Sequence, residues 1–386
     1  MSELLTGRWA ETKEALLEGL QGTKKSVMGV TLENTKKYLQ ESATAGATSA
    51  GNVATLNRVI LPVIRRVMPT VIANELVGVQ PMTGPVGQIH TLRVRYSDTS
   101  SNAGVTAGEE ALSPFKIAEG YSADSTGRAV STASLEGQAG KRMSIQILKQ
   151  TVEAKTRKLS ARWTFEAAQD AQAQQGIDIE AEVMAALAQE ITAEIDQEIL
   201  ASLLSLAGTA VESFDQNAVS GTATFVGDEH AALAVQINRV SNLIAQRTRR
   251  GAGNWAVVSP YALTILQSAT TSAFARTTEG TFEAPTNTKL VGTLNSAMKV
   301  YVNTYATDTT DILIGYKGSS ESDAAAFYCP YIPLMSSGVV LDPSTFEPVV
   351  SFMTRYGYVE LTNTASSLGN AADYLGRISL SNVSFK

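Results

Sequence analysis

IDIEAEVMAALAQEITAEIDQEILASLLSLAG, residues 177–208, decides how this chain is read. Asp178 stands where a helix cap belongs, and Val183, Leu187, Ile191, Ile195, Ile199 and Leu203 recur every fourth residue, forming one apolar stripe on a helix. From Asp178 to Leu206 such a helix runs ~43 Å at 1.5 Å per residue. Burying each stripe residue is worth about 1.5–3 kcal/mol, so the helix must lie along a sheet or another large apolar surface.

Charge is segregated around this helix. Lys141 to Arg162 holds seven basic residues against one acid, Glu153, whereas Trp163 to Asn238 has thirteen Asp and Glu and no Lys or Arg. The basic block ends in TVEAKTRKLSARWT (151–164), with Lys155, Arg157, Lys158 and Arg162; Glu190, Glu194 and Glu198 of the helix are candidate acidic partners. Pairing inside one subunit would account for this at about 0–1 kcal/mol per exposed pair. A contact between copies accounts for it too, with complementary charge setting their register and orientation.

What lies upstream favours the second reading. QPMTGPVGQ (80–88) is a turn, IHTLRVRY is strand-like, a polar stretch runs on from Ser97, and MSIQILKQTV (143–152) resumes alternation. This reads as a long two-stranded excursion, with residues 151–164 on its returning limb. Such an arm has unpaired edges and little core, so a neighbouring copy is expected to cover it.

Composition narrows the function classes. A chain of 386 residues with 44% hydrophobic and 18% charged content folds a sizeable core, and no apolar run reaches the ~18 residues of a membrane span. A net charge of −6 and a pI near 5.2 argue against an overall basic, nucleic-acid-binding surface. The start, with Glu3 and no apolar core, is not that of a secretory signal, and the single cysteine, Cys329, forms no internal disulfide. Synthesis and assembly are therefore expected in the cytosol.

Catalytic signatures are missing. Two histidines, His90 and His230, cannot build a multi-imidazole metal site, and HExxH does not occur. GQAGKR (137–142) fails the phosphate-loop pattern, because Leu135 stands for its first glycine and Arg142 for its Ser or Thr. Cys329 reads as a packed side chain. Neither an enzyme nor a cofactor is expected. Arg247, Arg249 and Arg250, in the tip RTRRGAGN, fit phosphate or a capsomer centre as well as they fit a solvated loop.

Several segments resemble the major capsid proteins of T-even-type tailed bacteriophages: PTVIANELVGVQPMTGPVGQIHTLRVRY (69–96), KLSARWTFEAAQDAQAQQGIDIEAEVMAALAQEITAEIDQEIL (158–200), YCPYIPL (328–334), FEPVVSFMTRYGY (346–358) and SLGNAADYLGR (367–377). The resemblance begins near residue 53 and covers most of the chain. It implies an α+β protein of the Hong Kong phage capsid fold: an N-terminal arm (1–85), an extended loop hairpin (86–152), a peripheral domain with a long spine helix (153–227), an axial domain (228–322) and a return to the peripheral domain (323–386). It implies hexamers in an icosahedral shell around double-stranded DNA, with vertex, portal, scaffold and decoration proteins as partners and no membrane.

Two departures matter. T-even relatives insert a folded domain in the extended loop, whereas Ser97 to Arg142 is a short polar stretch. The family is also trimmed after a Leu/Ile-x-Glu pattern; Leu39-Gln40-Glu41, Leu16-Leu17-Glu18 and Ile117-Ala118-Glu119 all match, and an uncut arm is expected. The rival readings are a pentameric vertex protein or cellular encapsulating shell of the same fold, and a flagellin-like filament, which lacks its terminal heptads here.

Overall fold

The structure, a computed structural model, describes residues 9, 13–14, 16–17, 22, 25–34, 72–101, 103–109, 111, 120–122, 129–136, 140–175, 178–215, 226–248, 250–269, 274–276, 289–295, 297–306, 311–319, 323–361 and 371–381. It is a mixed helix-and-sheet, α+β protein of two compact units. The first comprises Met1–Gly87, Val152–Leu200 and Phe327–Val359; the second comprises Gln88–Thr151, Ala201–Ala326 and Glu360–Lys386.

A four-stranded sheet frames the first unit, in the order β1 (Gly78–Val79), β11 (Ala326–Leu341), β12 (Pro348–Glu360), β4 (Lys155–Arg162). From Ala326 to Ser336, β11 is buried at every position except Tyr331, matching its unbroken apolar sequence. In β12 the alternation of Pro348, Val350, Phe352, Thr354 and Tyr356 turns one side inward. At Gly357 a Cβ would meet Val152 Cγ2 at 2.5 Å and Glu153 O at 3.1 Å, so only glycine admits the close approach of residues 152–153 to β12.

Helix α3 (Phe165–Gln175) leads into the long helix α4 (Ile179–Leu206). Asp178 Oδ1 accepts the Glu180 N–H at 3.1 Å and caps it. Leu187, Ile191, Ile195 and Ile199 are buried, as their spacing requires. In the arm, residues 25–34 are helical with Val27, Met28 and Leu32 buried. Asn34 Nδ2 fastens this helix to its own chain by donating to Met82 O at 2.7 Å and Tyr331 O at 2.9 Å. A linker that the small residues of 41–51 suggest, and a helix that Pro62 would kink or divide, fall outside the described residues.

The alternation pattern alone misplaced residues 155–162 on the returning limb of the hairpin. The return limb β3 (Met143–Glu153) stops at Glu153; Ala154 N–H then bonds Pro85 O at 2.9 Å, and Lys155 starts β4 in a different sheet. The two strands read as one because no Gly, Pro or Asn separates them.

In the second unit a seven-stranded sheet runs β5 (Glu212–Asp215), β13 (Leu375–Ser381), β10 (Ile312–Gly315), β6 (Trp255–Val258), β9 (Met298–Val302), β8 (Lys289–Leu294), β7 (Phe274–Arg276). Helices α5 (Val226–Thr248) and α6 (Pro260–Ser268) pack on it; Ser259 caps α6 by accepting the Ala262 N–H. The core includes Phe214, Leu233, Ile237, Ile265, Ile314 and Ile378. Strands β5 and β13 belong here, not with the long helix as the segments 153–227 and 323–386 were expected to. Phe214, Ile378 and Leu380 fill this core, and neither strand carries a local signal naming its partner.

The excursion is a separate two-stranded sheet of β2 (Val86–Tyr96) and β3. Its connection is not merely polar: Tyr96, Ala103, Val105, Ala111 and Tyr121 form a small core, with the two tyrosine rings 4.5 Å apart. Tyr121 Oη donates to Arg142 O at 2.6 Å, and the Arg142 N–H bonds Asp98 at 2.8 Å. Five scattered apolar residues keep no period, so pattern reading passed over them. The short helix α2 (Thr132–Leu135) lies within the connection.

Candidate assembly surface

Strand β4 is an edge. It pairs with β12 from Lys155↔Tyr356 to Arg162↔Val349, and among the described residues no strand lies on its other side. Exposed edges invite another chain, and lysine along them discourages indiscriminate pairing. Alternation puts Arg157, Leu159 and Ala161, all half-buried, on one face and the exposed Lys158, Ser160 and Arg162 on the other.

Arg157 is fully engaged inside its own chain. Its Nη1 reaches Glu194 Oε2 at 2.6 Å, Nη2 reaches Glu198 Oε2 at 2.5 Å, and Nε donates to Tyr356 Oη at 2.6 Å. Tyr356 Oη in turn donates to Glu198. The guanidinium fork therefore ties the edge strand and β12 to helix α4. Burial works against the charge of Glu198, but the bonds from Tyr356 and Arg157 outweigh it and hold this carboxyl below its ordinary range. Burial likewise opposes the Arg157 charge, and Glu198 with Tyr356 more than restores it. For Tyr356, burial and then Glu198 push the phenol up.

For these three residues the structure shows partners within the chain itself. Four members of the set stay outward. Lys155 and Lys158 are exposed, Glu190 is exposed on α4, and Arg162 is 3.8 Å from Glu347 with 68% of its side chain open. Arg250 is held by Asp323 at 2.6 Å, beside Tyr374, whose Oη is 3.3 Å from the same carboxylate oxygen. Arg247 is half-buried, and Arg249 lies outside the described residues. Tyr356 and Asp196 were missed. Tyr356 looked like any strand aromatic. Asp196 sits on the row Met184, Ala188, Thr192, Leu200, all buried, and that row was the signal.

The hairpin carries the larger apolar exposure. Met143, Ile145 and Ile147 alternate along β3 and are 52%, 68% and 67% exposed. Val339, Val340, Leu341 and Phe346, at the β11–β12 turn, are exposed as well. Runs of this kind mark surfaces that meet another molecule. Among the described residues no group of His, Cys, Asp and Glu is placed to hold a metal ion, and no helix is long and apolar enough to cross a membrane.

A family model described as Major capsid protein Gp23 matches residues 53–380. The major capsid protein of Vibrio phage KVP40 is 29% identical, over 85% of this chain and 81% of that protein. That of Enterobacteria phage T4 is 28% identical over 83% and 78%, and that of Serratia phage KSP90 is 29% identical over 92% and 90%. Among solved structures, a chain of Microbacterium phage Oxtober96 aligns over 80% of this chain and 90% of its own, with a TM-score of 0.47 at 13% identity. With its model spanning most of the sequence, the chain belongs to the Gp23 family of major capsid proteins.

Proposed function

We propose that this chain builds the head of a tailed phage without catalysis, assembling as hexamers into an icosahedral shell of the Hong Kong phage type around double-stranded DNA. Family membership supports self-assembly into a capsid and a place in the virion. The observation that carries the mechanism is the β2–β3 hairpin, a two-stranded sheet presenting Met143, Ile145 and Ile147 to solvent. Two strands do not sustain themselves in water without a covered face. A sister subunit supplies that cover, and shell growth repeats the same contact.

Lys155, Lys158 and Arg162 then steer the edge of one copy toward acids of the next, Glu190 being the one of the three candidate acids that makes no ion pair among the described residues. Arg247 and Arg249 remain for non-specific contact with packaged DNA or for the capsomer centre, while Arg250 is committed to Asp323. Vertex, portal, scaffold and decoration proteins complete the particle, which is assembled in the host bacterial cytoplasm. The double variant Ile145→Asp/Ile147→Asp tests the central claim. Its far-UV circular dichroism and urea midpoint should match the parent while negative-stain microscopy finds no shells; normal shells would refute the reading.

A further inference from the structure

Asp196 is the one acid of α4 that is buried, at 1% exposure. Its Oδ1 accepts the Ile72 N–H at 2.9 Å, and its Oδ2 is buried with no hydrogen-bond partner among the described residues. Ile72 opens the segment that passes through α1 (Ala73–Leu76) to β1, which pairs in parallel with β11 from Gly78↔Phe327. One carboxyl group therefore joins this segment to the long helix. A buried carboxylate receiving a single N–H is poorly compensated for its lost hydration. The neutral acid keeps an acceptor for Ile72 and loses that penalty.

We infer that Asp196 is a protonation-sensitive latch, holding residues 72–79 against α4 when neutral and loosening them when charged. Burial pushes the carboxyl up to about 7, and the Ile72 N–H opposes that rise without cancelling it. Because the folded value lies above the ordinary one, the latch is at full strength below the normal aspartate range and weakens as pH climbs through about 7. Tyr328 of β11 is the titratable group that shares an electrostatic interaction with Asp196, and it also interacts with Tyr356, Cys329 and Glu198. Burial keeps Tyr328 and Cys329 protonated, the latter pushed up to about 12. The acid on α1 is Glu75, and β1 has none. Among the described residues no cation contributes to the shift of Asp196.

Hydrogen exchange on the full-length chain, followed in peptides covering residues 72–79 and corrected for base catalysis, reads the latch directly. With an unlatched carboxyl at its ordinary pKa, opening should rise about tenfold between roughly pH 6 and roughly pH 8.5. Asp196→Asn keeps the acceptor and removes the charge, so its opening should be the same at both values. Peptides from β6 and β9 serve as the internal reference and should hold steady in both proteins. A parent protein whose 72–79 segment tracks that reference overturns the inference, and so does a variant with the parent's pH response. Should Asp196→Asn fail to fold, the parent's profile against β6 and β9 decides alone.

Discussion

Helix α4 shows two faces to two environments. On one, Ile191, Ile195, Ile199 and Asp196 are buried; on the other, Glu190, Glu194 and Glu198 are exposed, the last two gripped by Arg157. Asp196 and Glu198 are two residues apart, which turns them about 200° from each other around the axis. Their protons respond in opposite senses. Burial with one N–H partner raises Asp196, whereas Arg157 and Tyr356 overcome burial and lower Glu198. The difference teaches that an acid's role on this helix follows from what stands opposite it, since a buried row without a cation yields a proton-binding group and an open row facing a guanidinium yields a fixed charge.

The buried face should fail most heavily when cut. Ile199 is 1% exposed, and Ile199→Ala removes three methyl(ene) carbons from a packed site, costing about 3 kcal/mol by the usual cavity cost. A urea midpoint, read by tryptophan fluorescence, measures it. A loss below about 1 kcal/mol would mean that the stripe collapses around the gap or is not part of a closed core.

Arg157→Ala attacks the other face and should cost less, about 1–2 kcal/mol, because its partners keep much of their water. It also separates the two faces by pH. Glu198 is lowered when folded, so its contribution is complete above the ordinary carboxylate range and disappears as pH falls through the folded value. Parent and variant should therefore converge in acid. The Asp196 contribution runs the other way, strengthening in acid, and Arg157→Ala should leave it intact. A gap between parent and variant that stays constant down to acid pH would show that the fork acts through packing and not through charge.

Which parts of this were legible in sequence follows from the range of the interactions. The stripe on α4 and its Asp178 cap depend on neighbours within a turn, and their spacing announced them. The destination of β5 and β13 depends on strands far along the chain, so Phe214 and Ile378 could not be assigned from their own surroundings. At the site, opposite charge blocks pointed to Arg157, Glu194 and Glu198 as a set, but charge alone does not say whether the partner is the same molecule or the next. Within the chain Arg157 also meets Tyr356, which lies 199 residues away and so was invisible to charge counting. Asp196 was hidden by a general expectation that acids face water, although the row it occupies is otherwise apolar or small.

The smallest effect on the subunit is expected at the outward residues of both faces. Lys158 on β4 and Glu190 on α4 are exposed, and among the described residues neither makes an ion pair within its own chain. Lys158→Glu or Glu190→Lys should each shift stability by no more than about 0.5 kcal/mol, as substitutions at open positions do. Their effect belongs to assembly. If the two residues meet across copies, each single reversal places like charges together and lowers the yield of shells, while the double reversal restores the attraction and with it the yield. Light scattering during assembly at low and high salt follows all four proteins, and screening should mute both the loss and the recovery. Singles that assemble like the parent would remove Lys158 and Glu190 from the interface, and a double variant no better than the singles would break their pairing with each other.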